Sequence, residues 1–244
     1  ISVVGTNGKN STIQAIYAIL KEANLKCNVY TSPHIQKINE RFVFNNQELN
    51  DEELADLLQE VEKINNNEPI TVFEMLSACF FYKAAQYPDH LNSIESGLFH
   101  RFHPTNILKS NLSSIVTSIS KDHPDWPPKE NQTIEQIVSE KTSALLNSNI
   151  VIAKQNKKET MECIKKTIKH NSSNKLFFNE DYSYSIQENG FFYYEDKLGG
   201  LKLPLPNVLG QFQLENISTA IATIRTLNLG IQSNEIESGI QNIN

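Results

Sequence analysis

Glycine is scarce in this chain, with 9 among 244 residues, roughly 4% where ~7% is usual. Arginine is scarcer still, 3 against 19 lysines. Cationic charge as a whole falls short, Lys+Arg 22 against Asp+Glu 28, for a net charge of −6. That balance excludes a generally basic nucleic-acid binder and suits a soluble, mildly acidic protein. No apolar run approaches the ~20 residues that span a bilayer, and mean hydropathy is −0.39. No membrane segment is expected, and the cytoplasm is the expected compartment. Cys27, Cys79 and Cys163 share no metal or disulfide spacing, which leaves buried, reduced thiols as the expectation. The chain shows no charged-then-apolar leader. It opens on Ile1 rather than Met, and residues 239–244 read as a helix with nothing after it, so a fragment of a longer protein is expected.

Against these shortages stand 28 Asn and 26 Ile, the bias an AT-rich coding sequence produces. A mass of 27.7 kDa suits one large domain with a sizeable core. Apolar residues 1–4 read as a short strand, and a 3.6-residue stripe at Ile13, Ile16, Ile19, Leu20 and Ala23 predicts a helix over 11–23. Strands are expected at 27–30, 92–95, 114–119, 150–153 and 176–178, with a small hairpin turning at Asn45-Asn46. Capping pairs at Asn50/Glu53 and Thr133/Gln136 open helices to about 65 and 146. Further helices are expected over 71–85, 158–169 and 214–227. From Tyr182 the texture changes: 182–186 and 191–194 flank a turn at Asn189-Gly190, and 201–205 adds a strand. The fold class is α/β, a mostly parallel P-loop-type sheet flanked by helices with an antiparallel patch near 182–209.

Gly5-Thr6-Asn7-Gly8-Lys9-Asn10-Ser11-Thr12 sits between the first strand and the first helix. Glycines let backbone N–H groups converge on phosphate oxygens, and the helix N-terminus adds its positive dipole end. Lys9 supplies a mobile charge for β/γ-phosphates, and Ser11 or Thr12 can ligate Mg²⁺ or a phosphate. A general Walker loop wants a glycine where Val3 stands.

This loop resembles that of the Mur ligase superfamily, and the rest of the chain is similar, in order, to its folylpolyglutamate synthase/dihydrofolate synthase branch. The resemblance runs through Tyr30-Thr31-Ser32-Pro33-His34 with Asn39-Glu40-Arg41, and Thr71-Val72-Phe73-Glu74. It continues through Glu95-Ser96-Gly97-Leu98 to Thr105-Asn106, Thr117-Ser118-Ile119 with Asp122-His123, Glu140-Lys141, and Gly210 to Asn216. The resemblance implies the superfamily's central ATP-binding domain over 1–244, with the N-terminal start and the C-terminal glutamate-ligase domain missing. It implies a monomeric enzyme in which ATP phosphorylates a carboxylate of dihydropteroate or a reduced folate and the amine of L-glutamate displaces the phosphate. ATP and Mg²⁺ are the implied cofactors, with no nucleic-acid or membrane partner. Asn7, Gly8, Lys9, Asn10, Ser11, Thr12 and Asn216 would bind ATP, Asn216 at the adenine. Ser32, Glu95 and His123 would hold the metal. Lys9, His123 and a carbamylated Lys141 would be catalytic. Thr71, Val72, Phe73, Glu74, His103 and Pro104 would border the pterin.

Read alone, several of these residues have plainer roles: Ser32 as a turn residue, Phe73 as core, Glu74 as a first-turn helix acid and Lys141 as a solvated helix lysine. The chain also departs from the family pattern. Asn10 and Ser120 replace glycines, Phe99 and His100 replace paired glycines, His103 an aspartate, and Pro104 an alanine. Pro127-Pro128 replace Leu-Gly, and Thr142-Ser143 replace Ala-Gly. ATP and metal binding are therefore expected to be better preserved than folate specificity. Two rivals stand beside this reading: another Mur-type amino-acid ligase, and a degenerate nucleotide-binding copy without ligase activity.

Overall fold

The computed structural model describes residues 1–97, 103–121, 133–188, 190–208 and 210–243. Its strands are β1 (Ser2–Val4), β2 (Cys27–Tyr30), β3 (Phe42–Phe44), β4 (Gln47–Glu48), β5 (Leu91–Glu95), β6 (Ser113–Val116), β7 (Asn149–Ile152) and β8 (Lys175–Phe177), then β9 (Tyr182–Ile186), β10 (Phe191–Asp196) and β11 (Gly199–Pro204). Helices are α1 (Lys9–Glu22), α2 (Asp51–Asn65), α3 (Val72–Ala84), α4 (Ile134–Thr142), α5 (Lys158–Thr167), α6 (Gln211–Thr226) and α7 (Ser233–Gln241). The first eight strands form one sheet in the order β4-β3-β2-β5-β1-β6-β7-β8, and the last three a separate antiparallel sheet. All neighbours from β2 to β8 pair in parallel, as strand–helix–strand crossovers require. The β2–β3 and β3–β4 pairs are antiparallel, and their turn is made by Asn45 and Asn46, both with positive φ, which asparagine tolerates.

Central β1 and β6 are wholly buried, which is why they read as short apolar runs without alternation. On one side of the sheet α1 packs its Ile13, Ile16, Ile19 and Leu20 against Ala220 and Ile221 of α6 and Ile236 and Ile240 of α7. A Cβ on Gly239 would stand 2.6 Å from the Ile19 Cα, so that crossing needs the bare backbone. Leu54, Leu57 and Val61 of α2 and Leu76, Cys79 and Phe80 of α3 meet Tyr30, Phe42 and Phe44 in a second cluster, and α4 and α5 close a third over β6 and β7. The antiparallel sheet lies on α6 through Tyr182, Phe192, Tyr194 and Leu203. Arg225 of α6 fixes it there, donating to Asp196 through Nε at 2.8 Å and Nη2 at 3.0 Å, while the Tyr194 hydroxyl donates to the same carboxylate at 2.9 Å.

The expected elements are present, with several ends moved. β6 stops at Val116, not 119, because Thr117 and Ser118 leave the sheet to bond the loop after β1: Thr6 and Asn7 both donate to the Ser118 carbonyl. α4 stops at Thr142, short of 146; Asn171 and Ser173 take up the carbonyls of Leu145 and Leu146 as the chain turns back into β7. The last helix begins at Ser233 and ends at Gln241, so it takes in residues 239–241 of the stretch that suggested it. Cys27 and Cys79 are buried and Cys163 is partly so, none in a disulfide. No helix among the described residues is long and apolar enough to cross a membrane. The carboxyl ends of β2, β5, β1 and β6 stand side by side, the edge at which parallel sheets gather ligand-binding loops.

Candidate active site

The loop from β1 to α1 is shaped by two glycines. Gly5 has φ 144° and a Cβ there would fall 2.0 Å from the Thr117 Oγ1. Gly8 has φ 86° and a Cβ there would fall 2.3 Å from the Asn216 Oδ1. Asn216, on the second turn of α6 and nearly buried, is thus pressed against the phosphate loop although 208 residues separate Gly8 from it in sequence (216 − 8). The first amides of α1 have no acceptor within their own helix, and they point out of the loop beside Lys9. Lys9 Nζ donates to the Thr6 carbonyl at 3.2 Å and stands 3.7 Å from Glu95 Oε1. Of the two helix-start hydroxyls, Thr12 is fully buried and donates to the Gly8 carbonyl at 2.8 Å; Ser11 remains half-exposed at the mouth, and Asn7 and Asn10 are exposed.

Glu95 ends β5 and is 3% exposed. Its Oε2 accepts the Ser32 N–H at 3.0 Å, so the loop after β2 is tied to the end of β5. Burial pushes the Glu95 carboxyl above the usual range, against the pull of the Ser32 amide, Lys9 and Arg41. Lys141 is not a solvated helix lysine: it is 3% exposed, and its Nζ reaches from α4 to the Gly5 carbonyl at 3.2 Å. A hard cation that keeps several waters needs only a carboxylate, a hydroxyl and phosphate oxygens. Glu95 beside Ser32, with the Lys9 ammonium already drawn to the same carboxylate, fits that demand. Among the described residues no group of three His, Cys, Asp or Glu side chains forms a cage, and His123, the third expected metal ligand, lies outside them.

A second wall rises where α3 begins. Thr71 caps the helix: its Oγ1 accepts the Glu74 N–H at 3.2 Å while Glu74 Oε2 accepts from the Thr71 N and Oγ1 at 2.9 and 2.7 Å. These bonds hold the Glu74 carboxyl below its ordinary range, so Thr71 and Glu74 are engaged with each other. Val72 is 74% exposed. The Phe73 ring meets the His103 ring edge-on at 4.9 Å. His103 Nε2 accepts the Gly97 N–H at 2.7 Å, and Nδ1 lies 2.6 Å from Thr105 Oγ1 and 3.3 Å from the Thr105 N. Pro104 is half-buried beside it.

Between the two walls lies Arg41, quoted in the sequence pattern but given no role there. Its Nε donates to His34 Nδ1 at 2.9 Å, its Cζ lies 5.7 Å from the Phe73 ring centroid, and its buried Nη1 has no hydrogen-bond partner among the described residues. Rarity was its only signal. Lys154 and Glu215, paired at 2.7 Å near the start of α6, and Gln155, which receives the Ile119 N–H at 2.9 Å, also escaped the sequence reading. Lys9, Ser32, Glu95, Lys141 and Asn216 converge; Phe73 and His103 form the adjoining wall; the departures at Phe99 and His100 and at Pro127-Pro128 lie outside the described residues.

No family model matches the chain. The Escherichia coli dihydrofolate synthase/folylpolyglutamate synthase is 30% identical over 242 residues, 98% of this chain and 54% of that protein. Two solved structures superpose on nearly the whole chain. Escherichia coli FolC in complex with ADP has a TM-score of 0.86 at 28% identity, covering 99% of this chain and 56% of that one. The Yersinia pestis bifunctional folylpolyglutamate synthase/dihydrofolate synthase complexed with AMPPNP and Mn ion has a TM-score of 0.87 at 27% identity, covering 100% and 57%. The chain spans about half the length of the relatives it matches. At 30% identity over 98% of its length to one such synthase, and superposable on two solved structures over nearly its whole length, the chain belongs to the folylpolyglutamate synthase/dihydrofolate synthase family of the Mur ligase superfamily.

Proposed function

We propose that this chain is the ATP-binding part of an ATP-dependent ligase that joins L-glutamate to the carboxylate of dihydropteroate or a reduced folate, acting as a cytoplasmic monomer. The observation that carries the reading is the joint placement of Lys9, Glu95 and Ser32: an ammonium 3.7 Å from a buried carboxylate that accepts a backbone N–H from a third loop. Relatives support it through the ligands named for them. Escherichia coli FolC was solved with DHPP and ADP, and a bifunctional family member with Mn, AMPPNP and L-glutamate.

ATP supplies the phosphoryl group that turns the acceptor carboxylate into an acyl phosphate; the glutamate amine then attacks the acyl carbon, forming the amide and releasing inorganic phosphate. The protein's task is to neutralise charge and hold two anions together. The open amides of α1 and Lys9 serve the β- and γ-phosphates; Ser11 offers its hydroxyl there, with Thr12 behind it. Asn7, Gly8 and Asn10 line the same loop, and Asn216 stands ready for the adenine. Glu95 and Ser32 hold the divalent cation, with His123 as the third ligand. Lys141, buried and bonded to the Gly5 carbonyl, would be carbamylated, its amine taking up CO₂ to give a carboxylate-like group that helps hold the metal. Thr71, Val72, Phe73, Glu74, His103 and Pro104 border the acceptor.

The test is Lys9→Ala in the full natural protein. ADP release with dihydropteroate and L-glutamate is expected to fall at least about a hundredfold, the loss of a charge-assisted contact in the transition state, with the circular-dichroism spectrum unchanged. Turnover retained in a folded Lys9→Ala protein would overturn the phosphate-loop assignment.

A further inference from the structure

Two anions must meet in this site, the transferred phosphoryl group and the acceptor carboxylate, and Lys9 cannot neutralise both. Its Nζ is already shared between the Thr6 carbonyl and Glu95. Besides the divalent cation that Glu95 and Ser32 would hold, a guanidinium is the side chain that matches the two oxygens of a carboxylate. Of the three arginines, Arg225 is tied through two nitrogens to Asp196, and Arg101 lies outside the described residues. Arg41 is the third.

Its position is unusual for a structural arginine. The guanidinium rests on the Phe73 ring at 5.7 Å, on the aromatic wall. Its charge also reaches Glu95, and a side-chain hydrogen bond ties it to the Tyr30 hydroxyl, which lies 3.3 Å from Ser77 Oγ of α3. One nitrogen, Nε, is used by His34. Nη1 is buried without a partner among the described residues, and a desolvated N–H of a cation is expensive to leave unmade. A carboxylate is the planar, two-oxygen partner a guanidinium fork matches. We propose that Arg41 is the receptor for the acceptor's carboxylate, holding it between the Phe73 wall and the Lys9–Glu95 corner. The proposal rests on the ligase reading above. It makes Arg41 a residue that touches the substrate, and it gives His34 the positioning task of fixing the guanidinium through Nε.

An arginine that only braced Phe73 and His34 would matter equally for any acceptor. One that binds a carboxylate matters only for acceptors that have it. Pteroate and its primary carboxamide are the probes, titrated calorimetrically into the full natural protein in the presence of ADP and Mg²⁺. Wild-type protein is expected to prefer pteroate. Arg41→Gln is expected to weaken pteroate by about tenfold to a hundredfold, the range of a lost charge-assisted pair, while the carboxamide and ADP change less than about threefold. Arg41→Lys keeps the charge without the fork and is expected to fall between; should Arg41→Gln not fold, a reduced pteroate-to-carboxamide preference in Arg41→Lys supports the proposal and an unchanged preference overturns it. Equal losses for both probes, or no loss of pteroate binding, overturn the assignment of Arg41 alone. Wild-type protein that binds neither probe overturns the ligase reading and this inference with it.

Discussion

Glu95 is a carboxylate whose surroundings push it toward neutrality, and two consequences follow. Because its folded pKa is raised by burial above the ordinary range, the metal-free protein gains stability from it below that range and loses it as pH rises through the raised value. Glu95→Gln should therefore raise the Tm of the metal-free protein at pH 7 and flatten its pH dependence, while abolishing Mg²⁺-dependent turnover. A Tm that drops at pH 7 would mean that the Lys9 contact outweighs desolvation. Metal must meet the ionised form, so Mg²⁺ affinity should decline with falling pH from above the usual glutamate range, which a Mn²⁺ titration across pH would follow. The neighbouring acceptor wall makes a separate demand. Both ring nitrogens of His103 are engaged, with Gly97 and Thr105, so the ring presents no pair of acceptors to the N–H groups of a pterin edge. Leaving those donors unpaired costs ~1–3 kcal/mol, and His103→Asp is expected to tighten dihydropteroate about tenfold to a hundredfold by calorimetry, with ATP affinity unchanged. Tight binding by the natural sequence, with no gain from the substitution, would mean that the wall recognises the ring by another edge.

At the level of elements, α3 is held by a reciprocal cap between Thr71 and Glu74, where the sequence marked a helix start and a first-turn acid. Thr71→Ala should lower unfolding free energy by about 1 kcal/mol, measured by urea titration; an unaltered midpoint would show the cap to be redundant. The strand–helix alternation was legible for the same reason, because each element carries its own period and its own punctuation: Asn50 with Glu53, Asn45-Asn46, the glycines around Lys9. Element ends were less so. β6 ends at Val116 because Ser118 is taken by amides of the loop after β1, a partnership between residues more than a hundred positions apart that no local pattern encodes. The site divides along the same line. Lys9 announces itself within a glycine loop. Lys141 looks like any helix lysine until α4 packs and buries it against Gly5. Arg41 sits in a 3-10 turn over Ile38–Arg41, where nothing local distinguishes it from a surface cation. Ser32 and Asn216 became candidates through resemblance, and the packing that brings them to Glu95 and Gly8 is long-range.

Across the whole molecule, α6 is one link between the two sheets, beside the direct bond from the Tyr182 hydroxyl of β9 to the Ile152 carbonyl of β7 at 2.9 Å. α6 begins beside the phosphate loop, where Asn216 abuts Gly8, and near its other end Arg225 grips Asp196 of β10. Nine residues separate the two tasks, about 14 Å of helix at 1.5 Å per residue. The interior of α6 is buried from Asn216 to Ile224, so it has little room to flex. Anything that seats itself in the phosphate loop pushes on one end of a stiff strut, and the antiparallel sheet is bolted to the other. Amide hydrogen exchange in β9 to β11 should therefore slow when ADP and Mg²⁺ are added, and Arg225→Ala should erase that response while leaving ADP affinity nearly intact. Exchange in β9 to β11 that ignores the nucleotide would leave the strut without a load. On the expected outcome the antiparallel sheet is a mechanical gauge, a surface remote from the β1–α1 loop whose stiffness reports whether that loop is filled.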